Sequence, residues 1–214
     1  MTQIDIFFTS FESQMEQHLF ERYLSLLPPD LRERNSRYIH WQNRHSHLLG
    51  KLLLLEALKA RGIRTDIWDY LAYDSYQRPY LNSYTYDFNI SHSGNLVLCA
   101  IGKNVRLGVD IEENKKINFN NFKSVMTAAQ WDEVHKAEDP INIFYKYWTI
   151  KESVIKADGR GFIIPLDQLE VKDNVVQYEG RQWFVKDFKF ANAYSAALAS
   201  DQLSSYSVYH KSFY

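Results

Sequence analysis

The chain has 214 residues, of which 45% are hydrophobic and 24% are charged, and its formal net charge is −1. This composition is typical of a folded globular protein and excludes a disordered one. The length suits one large domain or two small ones. The near-neutral charge gives no general argument for binding nucleic acid or an anionic membrane. Cys99 is the single cysteine, which excludes an internal disulfide and a cysteine-based zinc site. It lies in an apolar run.

The ends and the apolar runs of the chain predict its location. The sequence begins Met1-Thr2-Gln3-Ile4-Asp5 without a basic segment followed by an apolar stretch, so no signal peptide is predicted. The longest leucine run, residues 52–55, is far too short to span a bilayer. We therefore expect a cytoplasmic protein without membrane contact.

The predicted elements follow a similar plan in the two halves of the chain. For the first half we predict a strand at 4–9, a helix at 15–26, a helix at 31–59 with a break near Asn43, a strand at 67–73, and two strands flanking a polar turn at 91–94. For the second half we predict a strand through 109–111, helices at 128–137 and 143–157, and strands at 169–171, 175–178, 182–190 and 194–199.

Two short matches indicate an internal duplication. The helix end at 59–62 matches that at 156–159, and the apolar strand at 97–101 matches that at 195–199. The sequence thus predicts an α+β fold of two similar α+β halves, each a small antiparallel sheet packed with helices, related by a pseudo-twofold axis. We place the halves at 1–104 and 105–214, with a site in the cleft between them.

Two acids in the middle of the chain attract attention first. Asp110 and Glu112 lie one residue apart in a predicted strand, so both point to one face while Val109 and Ile111 point into the core. Carboxylates this close repel each other unless a cation or an arginine lies between them. Mg²⁺ takes such oxygen ligands together with substrate phosphate. Taken alone, such a pair is far more often two solvated acids at a strand end.

Further clusters could belong to the same site. On a helix, Trp148, Glu152 and Lys156 share one face, although an exposed Glu–Lys pair would give the same spacing. His92, in the predicted turn, could contact phosphate or transfer a proton, or could be an ordinary turn histidine. A basic face at residues 32–51 could bind an anion or could simply be solvated.

The order and spacing of these clusters resemble the Sfp-type 4′-phosphopantetheinyl transferases. The matching segments are Phe88-Asn89-Ile90-Ser91-His92-Ser93-Gly94, Gly108-Val109-Asp110-Ile111-Glu112, and Trp148-Thr149-Ile150-Lys151-Glu152-Ser153 followed by Lys156-Ala157-Asp158-Gly159. The resemblance is strongest over residues 78–171, and the chain length and two-half plan also fit the family.

The resemblance implies a definite reaction and a catalytic centre. Members of the family move the 4′-phosphopantetheine arm of coenzyme A onto a serine of a carrier protein and release adenosine 3′,5′-bisphosphate. By resemblance, Asp110, Glu112 and Glu152 would hold Mg²⁺. Glu152 would also be the general base, directly or through a water, although binding a metal makes a carboxylate a poorer base. Lys156 would reach the attacked phosphate, and Lys151 would assist it.

The resemblance also implies residues that contact coenzyme A. His92, which is also placed among the catalytic residues, would contact the 3′-phosphate. The other expected contacts are Ser91 at a phosphate oxygen, Arg78 at the nucleotide, and Arg34 in the first helical segment. A family arginine is replaced here by Ser46-His47, so we expect Arg44, His45 or His47 to take its place.

Two further positions depart from the family pattern. Leu31 replaces a basic residue, which predicts one lost phosphate contact, and Gln77 replaces the glycine before the basic residue and proline of the turn. Neither change affects the proposed metal ligands.

A segment of the second half is the expected docking site for the carrier. Within residues 115–126, apolar side chains alternate with polar ones, which would suit a small helical partner or would close the core; they are Ile117, Phe119, Phe122 and Val125. We expect a monomer that does not bind nucleic acid. The sequence leaves open whether the carrier serves nonribosomal peptide, polyketide or fatty acid synthesis.

Two other function classes compete with this interpretation. One is a regulatory protein that binds coenzyme A or a nucleotide without chemistry, against which the complete set of acids and Lys156 argues. The other is a nucleic-acid-binding module using the basic face, against which the near-neutral charge argues.

Overall fold

The computed structural model describes residues 1–63, 67–190 and 193–214. The helices are α1 (Gln17–Leu24), α2 (Pro29–Ser36), α3 (Trp41–Ala60), α4 (Ala128–Lys136) and α5 (Pro140–Asp158). The strands are β1 (Thr2–Ser10), β2 (Leu71–Tyr73), β3 (Pro79–Leu81), β4 (Tyr86–Ser93), β5 (Leu96–Lys103), β6 (Leu107–Glu113), β7 (Val171–Lys172), β8 (Val175–Tyr178), β9 (Arg181–Phe190), β10 (Tyr194–Ser200) and β11 (Ser204–His210).

The described strands form two main sheets and one hairpin. The first sheet has the order β11-β1-β5-β4, the second has the order β6-β10-β9-β8-β7, and β2 pairs with β3. The β1–β11 pair is parallel and the other pairs are antiparallel. The predicted α+β class is confirmed. The division into halves at residue 104 stays a prediction.

The structure differs from the predicted elements in four places. Strand β11 was not predicted, and it adds the end of the chain to the first half's sheet beside β1. The predicted turn at 91–94 was wrong for residues 91–93, which lie in β4. The predicted helix at 31–59 is divided between Ser36 and Trp41, earlier than Asn43. Part of the predicted strand at 67–73 is a 3₁₀ turn, Ile67–Tyr70.

Helix α5 lies directly on β6 because Gly108 lacks a side chain. A Cβ at Gly108 would lie 2.1 Å from Ser153 O and 2.4 Å from Ala157 N, both main-chain atoms of α5. Val109 and Ile111 are fully buried in the core that joins the two sheets, as predicted. Helix α5 is therefore held against the strand that carries Asp110 and Glu112. Gly159, in the left-handed conformation with φ of 100°, ends the helix.

Side chains of β4 link the two sheets. Strands β4 and β6 are edges of different sheets, and every second side chain of β4 accepts a hydrogen bond from every second N–H of β6. The four bonds are Leu107 N to Asp87 Oδ2 (2.9 Å), Val109 N to Asn89 Oδ1 (2.9 Å), Ile111 N to Ser91 Oγ (3.3 Å) and Glu113 N to Ser93 Oγ (3.1 Å). These bonds give partners to edge N–H groups and fix the register of β4 against β6.

None of the described helices is both long enough and apolar enough to cross a membrane.

Candidate active site

The acids of β6 are oriented by the serines of β4. Ser91 Oγ donates to Asp110 Oδ1 at 2.9 Å, and Ser93 Oγ donates to Glu112 Oε2 at 2.6 Å. Each serine also accepts a main-chain N–H from the residue after its acid. The two carboxylates of the D-x-E pair are therefore held from one side by the neighbouring strand. Asp110 is buried, with 2% of its surface exposed.

The α5 face that was predicted from the four-residue spacing meets these acids. Lys156 Nζ lies 2.6 Å from Asp110 Oδ1 and 2.9 Å from Ser91 Oγ. Glu152, one turn earlier, is buried with 7% of its surface exposed. Burial, followed by the charge of Asp110, raises the pKa of Glu152 to about 7, while Lys156 acts in the opposite direction. The charge of Glu112 also contributes to this increase, so all three acids interact electrostatically.

Two carboxylate oxygens in this cluster have no hydrogen-bond partner among the residues that the structure describes. They are Asp110 Oδ2 and Glu152 Oε1, and both are buried. A buried carboxylate oxygen without a partner is costly, and a divalent cation with oxygen ligands would compensate for that cost. The donor set therefore fits Mg²⁺.

The three acids are not gathered into a coordination geometry as they stand. Within residues 1–63, 67–190 and 193–214, no group of three or more His, Cys, Asp or Glu side chains is arranged to hold a metal ion. In this arrangement Lys156 binds one oxygen of Asp110, and Ser93 binds one oxygen of Glu112. The Mg²⁺ assignment therefore remains a proposal.

A basic pocket lies beside this cluster. It has a volume of about 260 Å³, and its lining comes from α2, α3, β4 and the β2–β3 hairpin. Its lining residues include Arg34, His47, Lys51, Gln77 and His92. Burial, then Lys156, lowers the pKa of His92, with Asp110 acting in the opposite direction. Because His92 follows Ser91, the partner of Asp110, along β4, the pocket and the acid cluster are neighbours.

His47 presents an unpaired donor in this pocket. The amide Nδ2 of Asn35 lies 3.1 Å from His47 Nδ1, so Nδ1 accepts and the proton is assigned to Nε2. His47 Nε2 is buried and has no partner within the described part of the chain. Burial and then Lys51 lower the pKa of His47 to about 4, so the ring is neutral at pH 7 and still carries an N–H at Nε2. An anion in the pocket would accept that hydrogen bond.

Lys51 lines the pocket although the site prediction omitted it. Burial and then Arg34 lower the pKa of Lys51 to about 8. Leu31, the position where a basic residue was expected, is buried in the core with 2% exposure. Lys51 therefore contributes a cation that position 31 does not. The sequence contains a signal for this position, because Lys51 follows His47 by one helical turn and so lies on the same face of the helix.

A family profile and several curated proteins match this chain. The profile described as the 4′-phosphopantetheinyl transferase superfamily matches residues 106–205. The 4′-phosphopantetheinyl transferase Sfp of Bacillus subtilis (strain 168) is 31% identical over 162 residues, covering 74% of this chain and 71% of the relative. The chain is an Sfp-type member of the 4′-phosphopantetheinyl transferase superfamily. The enzyme type predicted from the three motifs is confirmed, and the family implies coenzyme A and a carrier protein as substrates.

Other similarities are weaker. The 4′-phosphopantetheinyl transferase gsp of Aneurinibacillus migulanus is 28% identical over 177 residues, covering 81% of this chain and 73% of the relative. A crystal structure of Thermotoga maritima holo-[acyl-carrier-protein] synthase has a TM-score of 0.35 and 13% identity, covering 44% of this chain and 61% of that chain. That likeness is too low to carry an argument.

Within this transferase, two predicted phosphate contacts stay predictions, and their side chains are buried against protein acceptors. Arg78, 5% exposed, directs its guanidinium to protein acceptors, including a two-bond pair with Asp87. Lys151 is fully buried, and its Nζ donates to Val125 O at 2.8 Å and Leu166 O at 2.7 Å. Both cations are therefore bound to protein acceptors.

Two further predicted contacts also stay predictions. The Arg44 guanidinium lies over the Phe20 ring, 5.1 Å from its centroid, and not among the residues that line the pocket. Ser91 is 5% exposed, and its hydroxyl binds Asp110, Lys156 and Ile111 N. Of the three replacements considered for the family arginine, His47 lines the pocket. His45 instead accepts from Met15 N at 2.9 Å and donates to Trp41 O.

The apolar residues of the predicted docking segment pack inward. Phe119 and Phe122 contact Phe144, with ring centroids 5.5 Å and 5.3 Å apart. Ile117 and Val125 pack against the same core. The predicted docking segment thus closes the core with its apolar side chains. Its outward-facing side chains include Lys115, Lys116 and Lys123.

Proposed function

We propose that this transferase moves 4′-phosphopantetheine from coenzyme A to a serine of an acyl or peptidyl carrier protein in a Mg²⁺-dependent reaction. The observation that carries the proposal is the meeting of Glu152 and Lys156 on α5 with Asp110 on β6. Two buried carboxylate oxygens there have no partner among the described residues, and Lys156 Nζ lies 2.6 Å from Asp110 Oδ1.

In the proposed reaction the carrier serine oxygen forms a bond to the phosphorus that bears the pantetheine arm. The bond from that phosphorus to the bridging oxygen breaks, and adenosine 3′,5′-bisphosphate leaves. The serine proton passes to Glu152, directly or through a water. A pKa raised to about 7 suits a general base at neutral pH. Lys156 stabilises negative charge on the attacked phosphate.

Asp110, Glu112 and Glu152 would hold Mg²⁺, and Ser91 and Ser93 would orient the first two of these ligands. The ion, when bound, neutralises charge on the bridging phosphates. Binding of the ion by Glu152 would lower its pKa, so the two proposed roles of Glu152 compete. A water between the serine and Glu152 would relay the proton to that carboxylate and would not itself keep it.

The basic pocket would hold the nucleotide end of coenzyme A. Arg34, His47, Lys51 and His92 present one permanent cation, one lysine and two imidazoles around a cavity of about 260 Å³. His92 would contact the 3′-phosphate, and Lys51 would compensate for the leucine at position 31. Since no acid is among the described residues that line this pocket, the lining favours an anion.

The carrier would dock at residues 115–126, where the outward lysines suit an acidic partner surface. A shallow pocket of about 180 Å³ beside this segment is lined by Phe119, Asn120, Lys123, Trp131 and His135. It could receive one apolar side chain of the carrier. We further propose a cytoplasmic monomer built from halves at 1–104 and 105–214, serving nonribosomal peptide, polyketide or fatty acid synthesis.

The test is transfer to several apo carrier domains in the presence of coenzyme A and Mg²⁺, followed by intact mass spectrometry. The proposal predicts that at least one carrier gains one phosphopantetheine unit, and that gain is lost when its acceptor serine is replaced by alanine. Glu152→Gln should abolish the gain while calorimetry still shows coenzyme A binding. Binding of coenzyme A by the wild type without any transfer would refute the proposal and favour a regulatory protein.

A further inference from the structure

Arg78 has every N–H of its guanidinium bound to protein acceptors. Arginine has five such donors, and here they meet two carboxylate oxygens and three main-chain carbonyls. The bonds are Nε to Lys156 O (2.9 Å), Nη1 to Pro79 O (3.3 Å) and Asp87 Oδ1 (2.9 Å), and Nη2 to Asp87 Oδ2 (2.7 Å) and Leu107 O (2.8 Å). A nucleotide phosphate could bind this guanidinium only by displacing these acceptors.

The turn that carries Arg78 is itself fixed. Asp74 Oδ1 accepts from Arg78 N at 2.9 Å, and Asp74 N donates to Arg78 O at 3.0 Å. The neighbouring Gln77 and Pro79 line the basic pocket. The turn thus presents its flanking residues to the pocket while the Arg78 side chain points to the junction between the sheets.

The acceptors of Arg78 come from both sides of the active site. Leu107 begins β6, the strand that carries Asp110, and Asp87 also accepts from Leu107 N. Lys156 lies in the last turn of α5, where main-chain carbonyls have no partner within the helix. An arginine at that end is favourable because it satisfies a carbonyl and complements the helix dipole. The Arg78–Asp87 pair therefore connects the end of α5 to the start of β6.

We propose that Arg78 is a positioning residue that holds Lys156 through its main-chain carbonyl, and not a ligand of the nucleotide. This inference rests on the proposed function, in which Lys156 contacts the attacked phosphate. Fixing Lys156 O fixes the backbone from which the side chain reaches Asp110 and Ser91. A small shift of that backbone would separate Nζ from the reacting phosphate.

Arg106 provides a matched control at the same helix end. Its Nε donates to Ala157 O at 2.7 Å and its Nη2 donates to Asp158 O at 3.0 Å, so it caps the neighbouring carbonyls without touching Lys156. Its removal weakens the cap of α5 but leaves the Lys156 carbonyl bound.

The experiment compares Arg78→Gln, Arg78→Lys and Arg106→Gln with the wild type, at a temperature where circular dichroism shows all four folded. Initial rates of transfer are measured over a range of concentrations of coenzyme A and of 3′-dephospho-coenzyme A. The rates give kcat and KM for each substrate. We expect Arg78→Gln to lower kcat by at least about tenfold, as for a misplaced catalytic group. The KM for coenzyme A and the preference for coenzyme A over its dephospho form should not change. Arg78→Lys, which keeps a charge opposite Asp87, should recover part of kcat, and Arg106→Gln should retain most of it.

Three outcomes would overturn the inference. A raised KM for coenzyme A with loss of preference over the dephospho form would make Arg78 a nucleotide ligand. Equal loss of kcat in Arg78→Gln and Arg106→Gln would reduce its role to general capping. Unchanged kcat in Arg78→Gln would show that Lys156 needs no such support. A wild type that transfers to no carrier would instead refute the proposed function.

Discussion

Gly108→Ala tests whether close contact between α5 and β6 assembles the site. The added Cβ would lie 2.1 Å from Ser153 O and 2.4 Å from Ala157 N. Both neighbours are main-chain atoms, so no side-chain rotation relieves the clash. Because non-bonded atoms normally lie about 3.5 Å apart, α5 must move away by on the order of 1 Å. Glu152 and Lys156 move with it, away from Asp110.

The expected effects of Gly108→Ala follow from that displacement. Overpacking costs about 1–3 kcal/mol of unfolding free energy, which lowers Tm by roughly 2–4 °C per kcal/mol for a chain of this size. A misplacement of about 1 Å lowers the transfer rate by about 10²-fold. Transfer to an apo carrier is measured by mass spectrometry well below Tm, and Tm by calorimetry.

Gly102→Ala is the control for overpacking alone. Its Cβ would lie 2.4 Å from Val105 Cγ1 and 3.1 Å from Leu107 Cδ2, which are side-chain atoms of the core and not atoms of α5. We expect a similar loss of stability with wild-type turnover. Gly108→Ala with wild-type turnover, or equal loss of turnover in both variants, would contradict the argument.

Three further predictions concern the edges of the site. Ser93→Ala removes the 2.6 Å hydrogen bond to Glu112, so the affinity for Mg²⁺ should fall about tenfold, whereas Ser93→Thr should retain the wild-type affinity. The affinity is measured by calorimetry with coenzyme A present, and equal values in all three proteins would contradict this prediction. The pKa of Lys51, about 8 in the free protein, should rise by about one unit or more when coenzyme A binds, because phosphate favours the charged amine; an unchanged titration by nuclear magnetic resonance would place the phosphates elsewhere. Residue 77 has φ of 64°, a conformation that glycine adopts more readily than glutamine. The free energy of unfolding of Gln77→Gly, measured by chemical denaturation, should therefore equal that of the wild type or exceed it by up to about 1 kcal/mol. A clear loss of stability would show that the glutamine side chain stabilises the turn.

The sequence predicted the parts of the site that depend on local periodicity. Alternation along a strand placed Asp110 and Glu112 on the face opposite to Val109 and Ile111. The four-residue spacing on a helix placed Glu152 and Lys156 on one face. The α+β class and most of the helices followed from the same periodicities.

Long-range contacts were not predictable in this way. Arg78, Lys151 and Arg44 have the charge expected of phosphate ligands, but the sequence does not show which acceptors lie around a side chain after folding. Strand β11 was missed because its partner, β1, lies at the other end of the chain. The hydrogen bonds from β6 to the side chains of β4 likewise depend on two sheets meeting, which no local pattern encodes.

The central claim is that Asp110, Glu112 and Glu152 form one divalent-cation site. The most direct test is titration of the protein with Mn²⁺ as a substitute for Mg²⁺, followed by electron paramagnetic resonance, in the presence of coenzyme A. The account predicts one site in the wild type, and at least about tenfold weaker binding in each of Asp110→Asn, Glu112→Gln and Glu152→Gln. Wild-type affinity in the Glu152→Gln variant would contradict it, because the helix would then contribute no ligand to the ion.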